Sequence, residues 1–233
     1  MKKIGIIIFL TALLLSVFVS SFFSIGRLGE KVFEFSFNSG VEGSGSPASE
    51  SREVGNFSGV DVSGVFQVEI TAQKEFGVEI EADDNLLPLI RTEVRDGVLR
   101  IETDEKISPN QPLRVRISAP DIDKIQASGV SNVNLSGVKN NELHVDTSGA
   151  SKVNIAGETA NLKVEVSGAS KIDAEDLTAE NADIDASGAS HANVFATNQL
   201  RSDASGASKV VYTGNPKTVE KNSSGAGSVR QKK

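Results

Sequence analysis

The feature that most constrains this chain is a short motif returning at a nearly fixed interval. Ser-Gly-small-Ser occurs at Ser128–Ser131, Ser148–Ser151, Ser167–Ser170, Ser187–Ser190 and Ser205–Ser208, and Ser224-Gly225-Ala226-Gly227 closes the series. The intervals are 20, 19, 20, 18 and 19 residues. Self-similarity at a fixed period is the signature of a repeat architecture, in which each unit contacts only its neighbours. Aligned on the first Ser, position 6 reads Val133, Val153, Ile172, Ala192, Val210, and position 8 reads Leu135, Ile155, Ala174, Val194, Tyr212. Two residues apart, these positions share one strand face, so rungs stacked about 4.8 Å apart line them into continuous apolar columns. Pairs such as Leu143/Val145, Val164/Val166 and Ala182/Ile184 supply a second inward face. The Gly at position 2 permits a corner that other residues resist.

The expected fold is therefore all-β: a right-handed parallel β-helix, or solenoid, with rungs of 18–20 residues. The better-known alternatives fail on their own repeats. Neither the hexapeptide period nor the calcium-binding Gly-Gly-x-Gly-x-Asp nonapeptide is found. Composition agrees with a slender interior. There is no Trp and one Tyr, and seven of the eleven Phe precede residue 40. The core is left to Val, Ile, Leu and Ala.

Ahead of the repeat the sequence divides into three stretches. Ile4–Gly26 is free of charge and follows Lys2 and Lys3. A helix of that length spans a bilayer, and the leading positive charges place the rest of the chain outside. Residues 1–27 are thus expected as a signal peptide or a retained anchor, an N-terminal hydrophobic helix that makes the membrane a partner. The run exceeds the usual apolar core of a signal peptide, which favours retention. Residues 28–52, rich in Ser, Gly and Glu towards their end, are expected as a flexible linker. Residues 53–125 read as an N-terminal region of alternating strands, such as Phe66–Ile70 and Val78–Glu81. A helical turn is expected within Asp83–Ile90, and a hairpin at Asp96-Gly97. The repeat then occupies 126–228, with a polar tail at 229–233.

Chemistry is sparse. Net charge is −7 without a basic cluster, which argues against nucleic acid, and there is no cysteine for a disulfide, thiolate metal site or nucleophile. Two residues before each motif an acidic column stands: Asp146, Glu165, Asp185 and Asp203, flanked by Gln126 and Asn222. Position 5 carries Asn132, Lys152, Lys171, His191 and Lys209. Stacked carboxylates repel one another, and the Lys column, one corner away, is expected to offset them. Calcium needs six to eight oxygens converging on a point, whereas a linear column offers few per site, so the acids read as a solvated face. The repeated Ser lack an adjacent base and an oriented third group, and a motif present six times is unlike a catalytic site. They read as corner residues whose hydroxyls bond from rung to rung. No catalytic, cofactor-binding or metal-ligating residue is assigned, and no enzyme activity is expected.

The stretch Phe57-Ser58-Gly59-Val60-Asp61-Val62-Ser63-Gly64-Val65-Phe66, with Val78–Ile90, Gly97–Ile101 and the Ser-Gly-Ala-Ser series, resembles the head GIN domain family. The similarity covers about residues 52–228. Members are described as auto-transporter adhesin heads, which implies a right-handed β-helix in the cell envelope and no established activity or catalytic residues. An auto-transporter continues into a membrane barrel of at least eight strands. Here Gly227–Lys233 follows directly on the last rung, so self-secretion is not expected. The expected role is a non-catalytic exported envelope protein, presenting its β-helix for adhesion or for protein or glycan contact. A self-assembling homo-oligomeric scaffold is the alternative, and a polysaccharide-active enzyme comes after it.

Overall fold

A computed structural model describes residues 40–232. The hydrophobic helix expected within 1–27 lies outside the described residues. Among those, no helix is long and apolar enough to cross a membrane.

The strands are β1 (Val41–Glu42), β2 (Pro47–Ser51), β3 (Gly59–Gly64), β4 (Gln67–Thr71), β5 (Gly77–Asp83), β6 (Ile90–Arg95), β7 (Val98–Thr103), β8 (Ile107–Ser108) and β9 (Arg114–Ser118). The repeat contributes β10 (Lys124–Gly129), β11 (Asn132–Thr147), β12 (Lys152–Val166), β13 (Lys171–Ala186), β14 (His191–Ala204), β15 (Lys209–Thr213), β16 (Thr218–Ser223) and β17 (Ser228–Gln231). The expected helical turn is a single 3-10 turn at Leu87–Leu89, and β6 and β7 form the expected hairpin.

From β10 to β15 each strand pairs parallel with the next, and β16 and β17 pair parallel with β14 and β15, making a β-solenoid. Each rung has two principal faces. The first follows the Ser-Gly-Ala-Ser corner and includes Asn132–Ser136 and Lys152–Ile155; the second precedes the corner and includes Glu142–Thr147 and Asn161–Val166. Both predicted apolar columns are in register: Val133, Val153 and Ile172 stack on one face, and Leu143, Leu162 and Ala182 on the other. All six are buried. At the corner, Ala150 N–H donates to the Gly129 carbonyl and Ala169 N–H to that of Gly149, at 2.8 Å in both cases. Ser131, Ser151, Ser170, Ser190 and Ser208 are buried there, with the hydroxyls of Ser131, Ser190 and Ser208 donating to carbonyls of the preceding rung or corner.

The expected boundary at residue 126 separates nothing. β3 lies parallel to β10, and β4 to β11, so that Ser63-Gly64-Val65-Phe66 stacks on Ser128-Gly129-Val130-Ser131. Beneath them β7 and β9 form a further partial rung, parallel to β3 and β4 respectively. The chain thus lays down a middle rung first, then the one below it, then returns above.

The linker assignment is corrected over residues 40–52. β1 pairs with β8, and β2 runs antiparallel to β5. Edge strands pair through their backbone, and the side chains of β2 are almost all exposed, so no alternation betrayed it. The fully buried Asp83 carboxylate ties this region together, accepting N–H bonds from Gly45, Asn110 and Gln111 at 2.8, 2.9 and 3.1 Å. The expected polar tail also begins too early, because Ser228–Gln231 is a strand on β15.

Candidate functional site: two polar faces of the solenoid

Because the inward positions are apolar, function must be sought in the outward columns. The acidic column is real and longer than its repeat: Arg100, Asp61, Gln126, Asp146, Glu165, Asp185, Asp203 and Asn222 are successive register partners. Its expected counter-charge is placed differently. Lys152, Lys171, His191 and Lys209 do stack, but on the other face. Glu165 and Asp203 are instead paired by a column two residues upstream on their own face, running Lys124, His144, Lys163, Asp183, Arg201. Lys163 lies 2.7 Å from Glu165, His144 3.7 Å from Glu165, and Arg201 3.7 Å from Asp203. The Lys163 hydrogen bond holds the Glu165 carboxyl below its ordinary value, against an opposing effect of burial. At the lower end burial raises Asp61, and Arg100 opposes it. This basic column was legible as alternating charge at fixed offsets, yet it mixes Lys, His, Asp and Arg and has no single residue type to announce it.

A third column, Glu142, Asn161, Asn181 and Gln199, lies two residues further upstream. Asn181 donates to the Asn161 side-chain oxygen at 3.0 Å, and Asn198 to that of Asn181 at 2.9 Å. Together with Lys163, Asp183 and Arg201 these amides line a groove of about 280 Å³ along the second face. Hydrogen-bonding groups therefore repeat at rung spacing in two parallel rows, with charges of both signs alongside.

The first face has its own amide row. Asn154 donates to Asn134 at 2.6 Å and Asn193 to Asp173 at 3.4 Å. His191 bonds Asn193 at 2.9 Å rather than Ser190, whose hydroxyl is turned to the Val166 carbonyl. No Ser–His nucleophile pair is assembled at this corner. Among the described residues no group of three or more acidic, His or Cys side chains is arranged to hold a metal ion.

His191 gives the first face a pH dependence. Burial pushes its imidazole below the ordinary value of 6.5; the Asn193 bond opposes this, and Lys209 and Lys171 above and below reinforce it. As pH falls the unfolded chain takes up this proton first. The stability the neutral imidazole contributes is therefore complete above about pH 6.5 and is lost as the pH falls below it toward the folded value. Proton NMR is expected to show His191 titrating below the ordinary histidine range, and His191→Asn to flatten stability against pH in that window. A midpoint at or above 6.5 would contradict this placement of the ring.

The comparisons with known proteins agree with this geometry. A family model described as "Putative auto-transporter adhesin, head GIN domain" matches residues 56–216. The chain belongs to this family. Among solved structures, the head GIN domain chain is similar to a "putative adhesin" from Bacteroides fragilis, with a TM-score of 0.68 at 19% identity, covering 82% of this chain and 99% of that one. A "putative lipid binding protein" from Parabacteroides distasonis gives 0.56 at 18% identity, over 83% and 99% of the two chains. A "putative adhesin" from Parabacteroides merdae gives 0.54 at 20% identity, with 83% and 99% covered. At such identities the likeness is one of fold. None of the three bears the name of an enzyme. No curated protein matches the chain.

Proposed function

We propose that this head GIN domain protein is a non-catalytic, adhesin-like envelope module. Its solenoid flank is the contact surface for an extended protein or glycan. The observation that carries this reading is the set of in-register polar rows on the second face. The Asn161, Asn181 and Gln199 amides and the Lys163, Asp183 and Arg201 charges recur rung after rung along one groove. Such a surface offers equivalent hydrogen bonds at a regular pitch, which suits a ligand that is itself elongated and repetitive. Catalysis needs groups converging on one reacting atom; here they are spread along a line. The uncharged Ile4–Gly26 segment behind Lys2 and Lys3 supports export, with the module held on the outer side of the cytoplasmic membrane or released by cleavage.

The test is binding of the purified full chain to immobilised envelope polysaccharides, peptidoglycan fragments and envelope proteins. Saturable binding, weakened by Asn181→Ala together with Arg201→Ala, is the expected result. A defined hydrolytic activity lost on Asp185→Asn or Asp203→Asn would overturn the non-catalytic reading.

A further inference from the structure

Every rung of a solenoid covers the apolar layer and pairs the strand edges of the one before it, so the two ends need separate solutions. At the lower end the chain reverses direction. β6 lies antiparallel on β7, and β5 antiparallel on β9. At the upper end the parallel pattern continues to the last described residues: β16 pairs with β14 and β17 with β15, and no described strand takes their outer edges. A second copy of this chain could in principle stack there, as the scaffold alternative requires.

Two of the inward columns turn polar at this step, while Leu200 and Val210 are still followed by Val219 and Val229. On the second face, Val145, Val164, Ile184 and Ser202 are successive partners, and the next is Lys221. On the first face, Tyr212 is followed by Gln231. Lys221 is exposed, as is the whole of β16, yet it leans over the end of the solenoid. Its ammonium lies 4.6 Å from the centroid of the Tyr212 ring, across the open end of the core. Tyr212 is 4% exposed and belongs to the last apolar layer. Around it, Gln231 donates its side-chain amide to the Gly214 carbonyl at 3.0 Å, and the Lys232 backbone N–H donates to the Tyr212 carbonyl at 2.9 Å. The Lys232 ammonium reaches Glu175 at 2.6 and 2.8 Å.

We infer that the last rung is a terminating cap, in which Lys221, laid over Tyr212, prevents a second copy from adding to the solenoid end. The Tyr212 ring offers the ammonium a partner on one side, and water serves the other. A copy stacked on this end would replace that water with its own apolar layer and leave the charge buried without a counter-ion, which is strongly unfavourable. An inward-pointing charge on an edge strand is a known way of refusing strand addition. The same two columns that build the solenoid thus also end it, and the module acts as a single head. This inference rests on the solenoid end alone and stands or falls apart from the binding role proposed for its flank.

The experiment is sedimentation velocity of the full chain in detergent over a wide concentration range, for the parent, Lys221→Arg and Lys221→Val. The chain has no cysteine, so Glu220→Cys in the middle of β16 reports end-to-end contact by oxidative cross-linking in each background. The parent and Lys221→Arg are expected to remain monomeric and uncross-linked. Lys221→Val is expected to self-associate about a hundredfold more tightly and to cross-link through the introduced cysteine. Cross-linking of the parent at position 220 would overturn the inference. So would a Lys221→Val chain that keeps its β-sheet circular dichroism and stays as monomeric as the parent.

Discussion

Replacing Gly168 with alanine is expected to destabilise the domain by about 3 kcal/mol, seen as a fall of roughly 6–12 °C in the thermal unfolding midpoint. Gly168 sits at φ +69°, in the left-handed region. Holding a residue with a Cβ there costs about 1 kcal/mol. The larger part is steric. A Cβ at this position would lie 2.5 Å from the Gly149 carbonyl oxygen and 3.1 Å from its nitrogen. Those atoms cannot move aside, because the same carbonyl accepts the Ala169 N–H at 2.8 Å and fixes the rung spacing. Corner stacks on corner, so a shift at one rung is passed to the next. Gly225, at the last corner, gives the internal comparison. Its Cβ would stand 3.0 Å from the Gly206 oxygen, and among the described residues β17 is the only strand that follows. Gly225→Ala should therefore cost clearly less than Gly168→Ala. Equal costs at the two sites would mean that backbone conformation, and not close stacking, dictates glycine. Ala169→Ser, at the exposed neighbouring position, is expected within about 0.5 kcal/mol of the parent.

This corner shows what the sequence could and could not reveal. Ser-Gly-Ala-Ser sets the period, and the period alone puts Val133, Val153 and Ile172 in one column. A parallel solenoid makes such reasoning unusually direct, since sequence offset becomes spatial register. What escaped was whatever lay off the period. The rung at Ser63–Phe66 is separated from its successor at Ser128 by the excursion through β5–β9, so no interval pointed to it. It also breaks the motif, with Phe where the five full copies have Ser. Pro47–Ser51 escaped for a different reason. Backbone pairing to β5 recruits it, and backbone groups leave no pattern in the side chains. The counter-charge to Glu165 and Asp203 was misplaced because Lys stood out at position 5, whereas the true partners, Lys163 and Arg201, lie two residues upstream of the acids in a column of mixed sign.

The off-pattern Phe66 carries the other large prediction. Its backbone occupies the place of Ser131 in the rung above: Ser63 and Gly64 pair with Ser128 and Gly129, and Gln67 pairs with Asn132. Its carbonyl accepts the Asn132 N–H at 2.8 Å, so the corner geometry is kept while the side chain changes. In the regular corners a small Ser is enough, because Val, Ile, Leu and Ala from the two faces fill the layers. Here the chain must join the regular solenoid to the irregular rung of β7 and β9, and the ring is only 1% exposed within the core. Phe66→Ala removes a full aromatic side chain from a site hemmed in by paired strands that cannot collapse, and should cost about 3–5 kcal/mol in chemical denaturation. Phe66→Ser, though it restores the motif, should do no better, because it leaves the same void and adds a hydroxyl to it. Ser151→Ala, at an ordinary corner, removes two long contacts, 3.5 Å to the Gly129 carbonyl and 3.4 Å from the Ser131 N–H, and should cost no more than about 1 kcal/mol. If Phe66→Ser proved as stable as the parent, the first rung would be an ordinary member of the repeat and the ring would not fill the core at the solenoid's base.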